Sequence, residues 1–195
     1  MSNAVVLSRR IVLADLLPGA RVRDAALVLG GAGLVGIAAQ FSFVTPLSPV
    51  PFTLETLAVL VVGGALGSIR GLLSLIVYLA AGVAGVPWFA DHASGWAGNP
   101  SFGYIFGFIA AAGIVGALAK RGADRHVVST VLVMLAGTVV IYVVGTVWLA
   151  VDLHLGAGEA FRLGVRPFLV TDAIKIAIAA LAFPSAWQLV RRTKG

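Results

Sequence analysis

Apolar residues fill six stretches of this chain, and charged or proline- and glycine-rich segments separate them. The stretches run roughly over 24–41, 54–68, 71–83, 102–120, 127–151 and 167–190, and each reads as a membrane-spanning helix. Two of them, 54–68 and 71–83, are short for a bilayer that needs about 20 residues per crossing. Part of their depth should therefore be completed by loops folded into the protein, because irregular backbone at that depth is tolerated only when it is buried or lines a cavity. The expected fold class is all-α: a polytopic six-transmembrane-helix bundle with structured extracellular loops, built as a single integral membrane domain over residues 1–195.

Composition agrees with the pattern. Of 195 residues, 59% are hydrophobic and 11% charged, against about 25% charged in an average soluble domain. The mean hydropathy is +1.02. The first residues carry Arg9, Arg10, Arg21 and Arg23 without the apolar core of a cleavable signal, so the first span is expected to serve as an uncleaved insertion signal. Cysteine is absent, which excludes disulfides and thiolate chemistry.

Charge sets the orientation. Arg9, Arg10, Arg21, Arg23, Arg70, Lys120, Arg121, Arg125, Arg191, Arg192 and Lys194 fall on one side of the six spans, and only Arg162 and Arg166 on the other. By the positive-inside bias both termini are cytoplasmic, and the loops 42–53, 84–101 and 152–166 face outside a cell membrane crossed several times. The net charge of +6 is thus a membrane-flanking feature. No basic stripe is interleaved with stacking aromatics, so nucleic acid is not an expected partner, whereas membrane lipid is.

One pair of charges breaks the pattern. Asp172 and Lys175 lie inside the last apolar stretch, three residues apart and so on one helix face. A charge near a membrane centre costs roughly 2.5–3.5 kcal/mol on insertion scales, so such a pair persists where it meets a partner, a cavity or a ligand. It is either a ligand-binding pair or an internal salt bridge that holds the helix in place. A urea or cyclic amide offers the matching set of donors and acceptor, and a carboxylate would suit Lys175 alone. Glu55, at the outer end of the second stretch, reads as a first-turn acid favoured by the helix dipole, with Thr53 as its N-cap.

The outer loops hold Pro46, Pro49, Pro51, Pro87 and Pro100 with Phe89, Trp88 and Trp96. Prolines stiffen these segments, and Phe89 is expected in a lid over a pocket. Trp96 is an interfacial anchor or part of that lid. Tyr104 and Asp91 lie on the same outer side, as an interfacial Tyr and a solvated acid or as members of a site. Four-spaced small residues, Ala26 with Gly30 and Ala32 with Gly36, give the first span a face that serves packing within the bundle or docking of another membrane protein.

Enzymatic motifs do not emerge. His92, His126 and His154 lie outside the spans and share no ligand spacing, and there is neither a G-x-S-x-G elbow nor a phosphate-cradling G-x-x-x-x-G-K loop. No catalytic residue, metal or cofactor is expected.

Four segments resemble one family. V-P-F-T-L-E-T-L-A-V-L-V-V-G-G-A-L-G (50–67), R-G-L-L-S-L-I-V-Y-L-A-A-G-V-A-G-V-P-W-F-A (70–90), G-N-P-S-F-G-Y-I-F-G-F (98–108) and P-F-L-V-T-D-A-I-K (167–175) are similar, in order, to the BioY family. These are the biotin-capturing S components of energy-coupling factor (ECF) transporters. The resemblance implies a substrate-binding domain that takes biotin from the outside as transported ligand. It also implies as partners an ECF membrane scaffold subunit and two ATP-binding subunits, toward which the S component topples. It further implies that Asp172 and Lys175 contact the biotin head and that Tyr104, Gly103 and Asp91 lie nearby. Phe89 and the Pro46–Pro51 segment would cover the rings, and Ala26, Gly30, Ala32 and Gly36 would dock the partner. Glu55 stands where the family commonly has Gln, and Phe102 where it has Gly. A capture subunit for another vitamin and a self-sufficient carrier are the alternative readings.

Overall fold

Lipid cannot solvate peptide groups, so apolar stretches close their hydrogen bonds within themselves as helices. The computed structural model describes residues 11–19, 21–96 and 99–193, so Arg9, Arg10 and Lys194 of the charge pattern lie outside the described residues. A 3₁₀ turn at Leu13–Leu16 precedes α1 (Arg21–Gln40). Strands β1 (Ser42–Thr45) and β2 (Ser48–Thr53) follow. Then come α2 (Glu55–Leu66), α3 (Ser68–Val83), α4 (Phe102–Lys120), α5 (Val127–Asp152), the short α6 (Ala157–Gly164) and α7 (Leu169–Thr193). Among the described residues, four helical runs are long and apolar enough to cross a membrane: Arg21–Gln40, Phe102–Lys120, Val127–Asp152 and Ala157–Arg192. The helices α2 and α3 are apolar but short, with 12 and 16 residues, or roughly 18 and 24 Å at 1.5 Å per residue.

The chain is membrane-embedded, and its surface shows how. Val139, Val143 and Val147 recur every four residues along α5 and are 56%, 58% and 61% exposed, continuing to Val151. Val170, Ile174 and Ile178 make a similar stripe on α7. Such stripes are stable against lipid chains rather than water.

The all-α expectation needs correction, because 42–53 is a hairpin. Its strands pair antiparallel with Ser42 opposite Thr53, Phe43 opposite Phe52 and Thr45 opposite Ser48, with an irregularity between Phe43 and Thr45. Ser48, Val50 and Phe52 point inward and alternate with less buried neighbours, the period of a strand with one face on the core. Pro49 and Pro51 are two apart, so their missing N–H groups fall on one edge and leave the other to pair. Phe52 stacks on Phe43 at 5.1 Å and packs on Phe168 at 4.4 Å, fastening the hairpin over the start of α7. Likewise 152–166 is not an open loop but contains α6.

Small residues set the spacing between helices. Gly67 joins α2 to α3 with φ +83°, a conformation that side chains resist. A Cβ on Gly63 would sit 2.8 Å from the Ala112 carbonyl oxygen, and one on Gly107 would sit 2.9 Å from Ile141 Cα, so α4 lies backbone to backbone against α2 and α5. Gly116 abuts the backbone of Gly67 and Ser68. On α1 the four small residues divide. Ala32 and Gly36 are buried, with a Cβ on Gly36 coming within 2.9 Å of the Trp88 ring, whereas Ala26 and Gly30 are exposed. The four-residue docking face is therefore corrected: Ala32 and Gly36 are internal packing.

Charges gather at one end of the bundle. Arg70, at the start of α3, bonds Asp15 at 2.8 Å and Asp24 at 3.1 Å, and Val12 and Ala14 pack on Ala119 of α4. Nearby in the chain, Asp124 is buried between α4 and α5 and accepts a 2.6 Å hydrogen bond from Trp187 Nε1, which ties that turn to α7. Burial holds the Asp124 carboxyl above the usual carboxylate range.

Gly116→Ala is expected to lower stability by roughly 1–3 kcal/mol through overpacking. Gly33→Ala, where a Cβ meets nothing within 4 Å, is the control. Thermal unfolding of both variants in detergent reads the difference.

Candidate functional site

The first turns of α7 carry Asp172 and Lys175 into the interior rather than to lipid. Asp172 is 4% and Lys175 8% exposed, and Lys175 Nζ lies 2.7 Å from Asp172 Oδ1. Neighbouring helices complete the network. Lys175 Nζ donates to Thr56 Oγ1 of α2 at 2.7 Å, and the Thr56 hydroxyl donates to Asp172 Oδ1 at 3.1 Å. The Tyr142 hydroxyl of α5 donates to Asp172 Oδ2 at 2.6 Å. The carboxylate thus receives three donors from three helices. Removing two ions from water costs several kcal/mol each, which mutual attraction repays only when hydrogen bonds satisfy the remaining lone pairs.

Glu55 adds a second carboxylate. It occupies the first turn of α2 as expected, but the N-cap position is Leu54, and Thr53 Oγ1 accepts from the Glu55 backbone N–H at 3.2 Å without acting as the cap. Its side chain is turned inward, where the Tyr78 hydroxyl of α3 donates to Oε1 at 2.7 Å. The dipole reading therefore accounts for its position in the helix but not for its burial, which Tyr78 makes tolerable.

Asp172, Lys175, Thr56, Tyr142 and Glu55 line one cavity of about 50 Å³. Its walls are mostly apolar and aromatic: Val50 and Pro51 from β2, Phe89 from the segment after α3, Ile105 and Phe108 from α4, Ile141 from α5. Asn99 and Ser101 add polar groups from the segment before α4, where Asn99 Oδ1 accepts from both the Ser101 N–H and its hydroxyl.

Five of the seven site residues read from the sequence meet at this cavity: Asp172, Lys175, Tyr104, Phe89 and Pro51. Tyr104 also ties α4 to α6, its hydroxyl donating to the Gly164 carbonyl at 2.7 Å. Phe89 is a fixed wall rather than a flap. It is 2% exposed, edge-on to Tyr78 and Phe102, and it fills the space left by the missing side chain of Gly82. Two expectations are corrected. Gly103 does not line the cavity, because it faces Trp148 and lets α4 close on α5. Asp91 is exposed at the surface with φ +59°, its N–H donating to Ser42 Oγ at 3.3 Å. Trp96, at 62% exposure, lies in a shallow surface groove with Phe106 and Trp148 and not over the cavity. Phe102, the bulky departure, is buried against Phe106 and Trp148 and lies outside the cavity lining.

Sequence reasoning missed Thr56, Tyr142, Asn99 and Ser101. For Thr56 and Tyr142 the signal was present, since each is a hydrogen-bonding side chain set among apolar residues. Nothing in the spacing pairs them with Asp172, 116 and 30 residues away.

Comparison with known proteins gives this geometry a context. A protein from Pyrococcus horikoshii named "Probable biotin transporter BioY" is 37% identical over 163 residues, covering 83% of this chain and 94% of that one. The "Biotin transporter BioY" of Thermotoga maritima is 36% identical over 70% of this chain and 80% of its own length. The crystal structure of "the S-component for biotin from an ECF-type ABC transporter" shares the fold, with a TM-score of 0.74 and 22% identity over 89% of this chain and 91% of that one. The family model described as "BioY family" matches residues 9–192, which takes in all seven helices except the last residue of α7, the hairpin and every side chain of the cavity. The chain belongs to the BioY family.

Proposed function

We propose that this protein is the biotin-capturing subunit of an energy-coupling factor transporter. It is one membrane domain of six spans, α1 to α5 and α7, with both termini cytoplasmic and the cavity open to the outside. The observation that carries this reading is the polar floor of the cavity. A urea presents two N–H donors beside one carbonyl acceptor. Asp172 accepts from the urea and Lys175 donates to its carbonyl, with Thr56 and Tyr142 holding both in place. Phe89, Ile105 and Phe108 enclose the apolar thioether ring, and Pro51 and the hairpin cover it. The names borne by the relatives support the same ligand.

The chain has no phosphate-cradling G-x-x-x-x-G-K loop, and its reading as a capture subunit includes partners that use ATP: a membrane scaffold and two ATP-binding subunits. Their docking surface on α1 is proposed at Ala26 and Gly30. These are exposed and adjoin a shallow groove shared with Val61 and Ala65 of α2. Close helix approach needs small residues of this kind. The occupied site then moves inward with the whole subunit, while ATP is spent by the partners.

Equilibrium titration of the purified protein with biotin tests the reading, and saturable tight binding is expected. Lys175→Ala is expected to weaken it by at least about a hundredfold, since Asp172 is left buried without its counter-charge. Tyr142→Phe, which removes one donor to that carboxylate, is expected to cost about tenfold or more. Absence of biotin binding by the folded wild-type protein would refute the assignment. Gly30→Leu is expected to reduce ATP-driven uptake in the assembled transporter while leaving biotin affinity in detergent unchanged. Loss of both would remove α1 as the docking helix.

A further inference from the structure

We propose that Glu55 carries a proton when the cavity is occupied, so that this subunit binds its monocarboxylate ligand together with one proton. The inference rests on the proposed function and concerns the charge of the same site.

The argument is a count of charges. The cavity lining holds two carboxyl groups, Glu55 and Asp172, and one ammonium, Lys175. Lys175 is committed: its Nζ lies 2.7 Å from both Asp172 Oδ1 and Thr56 Oγ1. Asp172 and Lys175 therefore cancel, and Glu55 is the excess charge. Among the described residues Glu55 forms no salt bridge; Lys175 attracts it only at longer range, and its carboxyl group is hydrogen-bonded by the neutral Tyr78 hydroxyl at 2.7 Å and by the Thr53 side chain. It is buried, with 6% exposure, at a cavity whose walls are chiefly Phe89, Ile105, Phe108 and Ile141. A ligand such as biotin brings a third carboxylate. A carboxylate that enters the same cavity as an ionised Glu55 is repelled by it, and a single proton removes the conflict.

Of the groups around Glu55, only it can take that proton. Both oxygens of Asp172 are already engaged, accepting from Lys175, Thr56 and Tyr142. Tyr78 on α3, Tyr104 on α4 and Tyr142 on α5 are phenols that are neutral already. Asp91 and His92, in the 3₁₀ turn after Phe89, are exposed at the surface. A proton on the Glu55 oxygen not engaged by Tyr78 also turns an acceptor into a donor, which suits a ligand oxygen.

The sign of the linkage follows. If the protein binds the ligand with Glu55 neutral, affinity is constant at low pH. It weakens by about tenfold per pH unit once Glu55 is ionised in the empty protein. The test is biotin affinity of the purified wild-type protein and E55Q, measured between about pH 5.5 and pH 9.5, above the range where the ligand's own carboxyl titrates. The wild-type affinity is expected to fall through part of this window, and E55Q is expected to give a flat profile. Calorimetry on the wild type, in buffers of different ionisation enthalpy, is expected to show uptake of up to about one proton on the sloping limb, and it needs no variant. A flat wild-type profile with tight binding would overturn the proton inference and leave the proposed function standing. A slope that persists in E55Q would overturn it too, by assigning the titration to another group such as His92. No biotin binding at any pH would refute the function and this inference with it.

Discussion

The pairing of Asp172 with Lys175 inside a bundle otherwise built for lipid is the constraint on which the rest depends. Neither ion is stable alone in such surroundings, and each requires the other together with hydroxyls delivered from two further helices. This requirement fixes where α2, α5 and α7 meet, because Thr56 and Tyr142 must both reach one carboxylate. A core meant only to hold helices together would do as well with apolar side chains of similar volume. The retention of a charged, multiply bonded cluster at the floor of a cavity is understandable if a polar guest exchanges with part of it.

Packing and polarity divide the work between two kinds of residue. Glycine and alanine bring α4 against α2, α3 and α5 at backbone contact, through Gly63, Gly107 and Gly116. Such contacts are favourable without any help from water, the condition that holds in a bilayer. The short helices α2 and α3 leave depth unfilled, and the segments beside them fill it: the hairpin contributes Val50 and Phe52, and the segment after α3 contributes Phe89. The cavity is enclosed at this depth because irregular backbone there is folded onto the helices rather than exposed to lipid.

Much of this was legible in the sequence. The six apolar stretches correspond to α1 to α5 and α7, and the shortness of two of them is itself the sign that neighbouring segments must complete their depth. Asp172 and Lys175 stood out because charge is costly where they lie. The secondary structure of 42–53 was not legible, since Pro46, Pro49 and Pro51 read as a stiff loop until a partner strand and an inward face appear together. Ala32 and Gly36 cannot be separated from Ala26 and Gly30 by spacing alone, because Gly36 is covered by Trp88, 52 residues further on, and Ala32 by the core it joins. Gly103 and Asp91 were placed by neighbours in sequence, and a helix turns successive residues to different faces: Tyr104 looks into the cavity while Gly103 looks at α5. The inward turn of Glu55 depends on Tyr78, which no local pattern links to it.

The most direct measurement is an experimental structure of the protein with biotin bound. The account predicts the ureido head at the floor of the cavity, its N–H groups and carbonyl within hydrogen-bond distance of Asp172 and Lys175, with the rings between Phe89 and Phe108. Biotin found elsewhere on the molecule, with the Asp172–Lys175–Thr56–Tyr142 cluster unchanged and no ligand atom against it, would contradict the account.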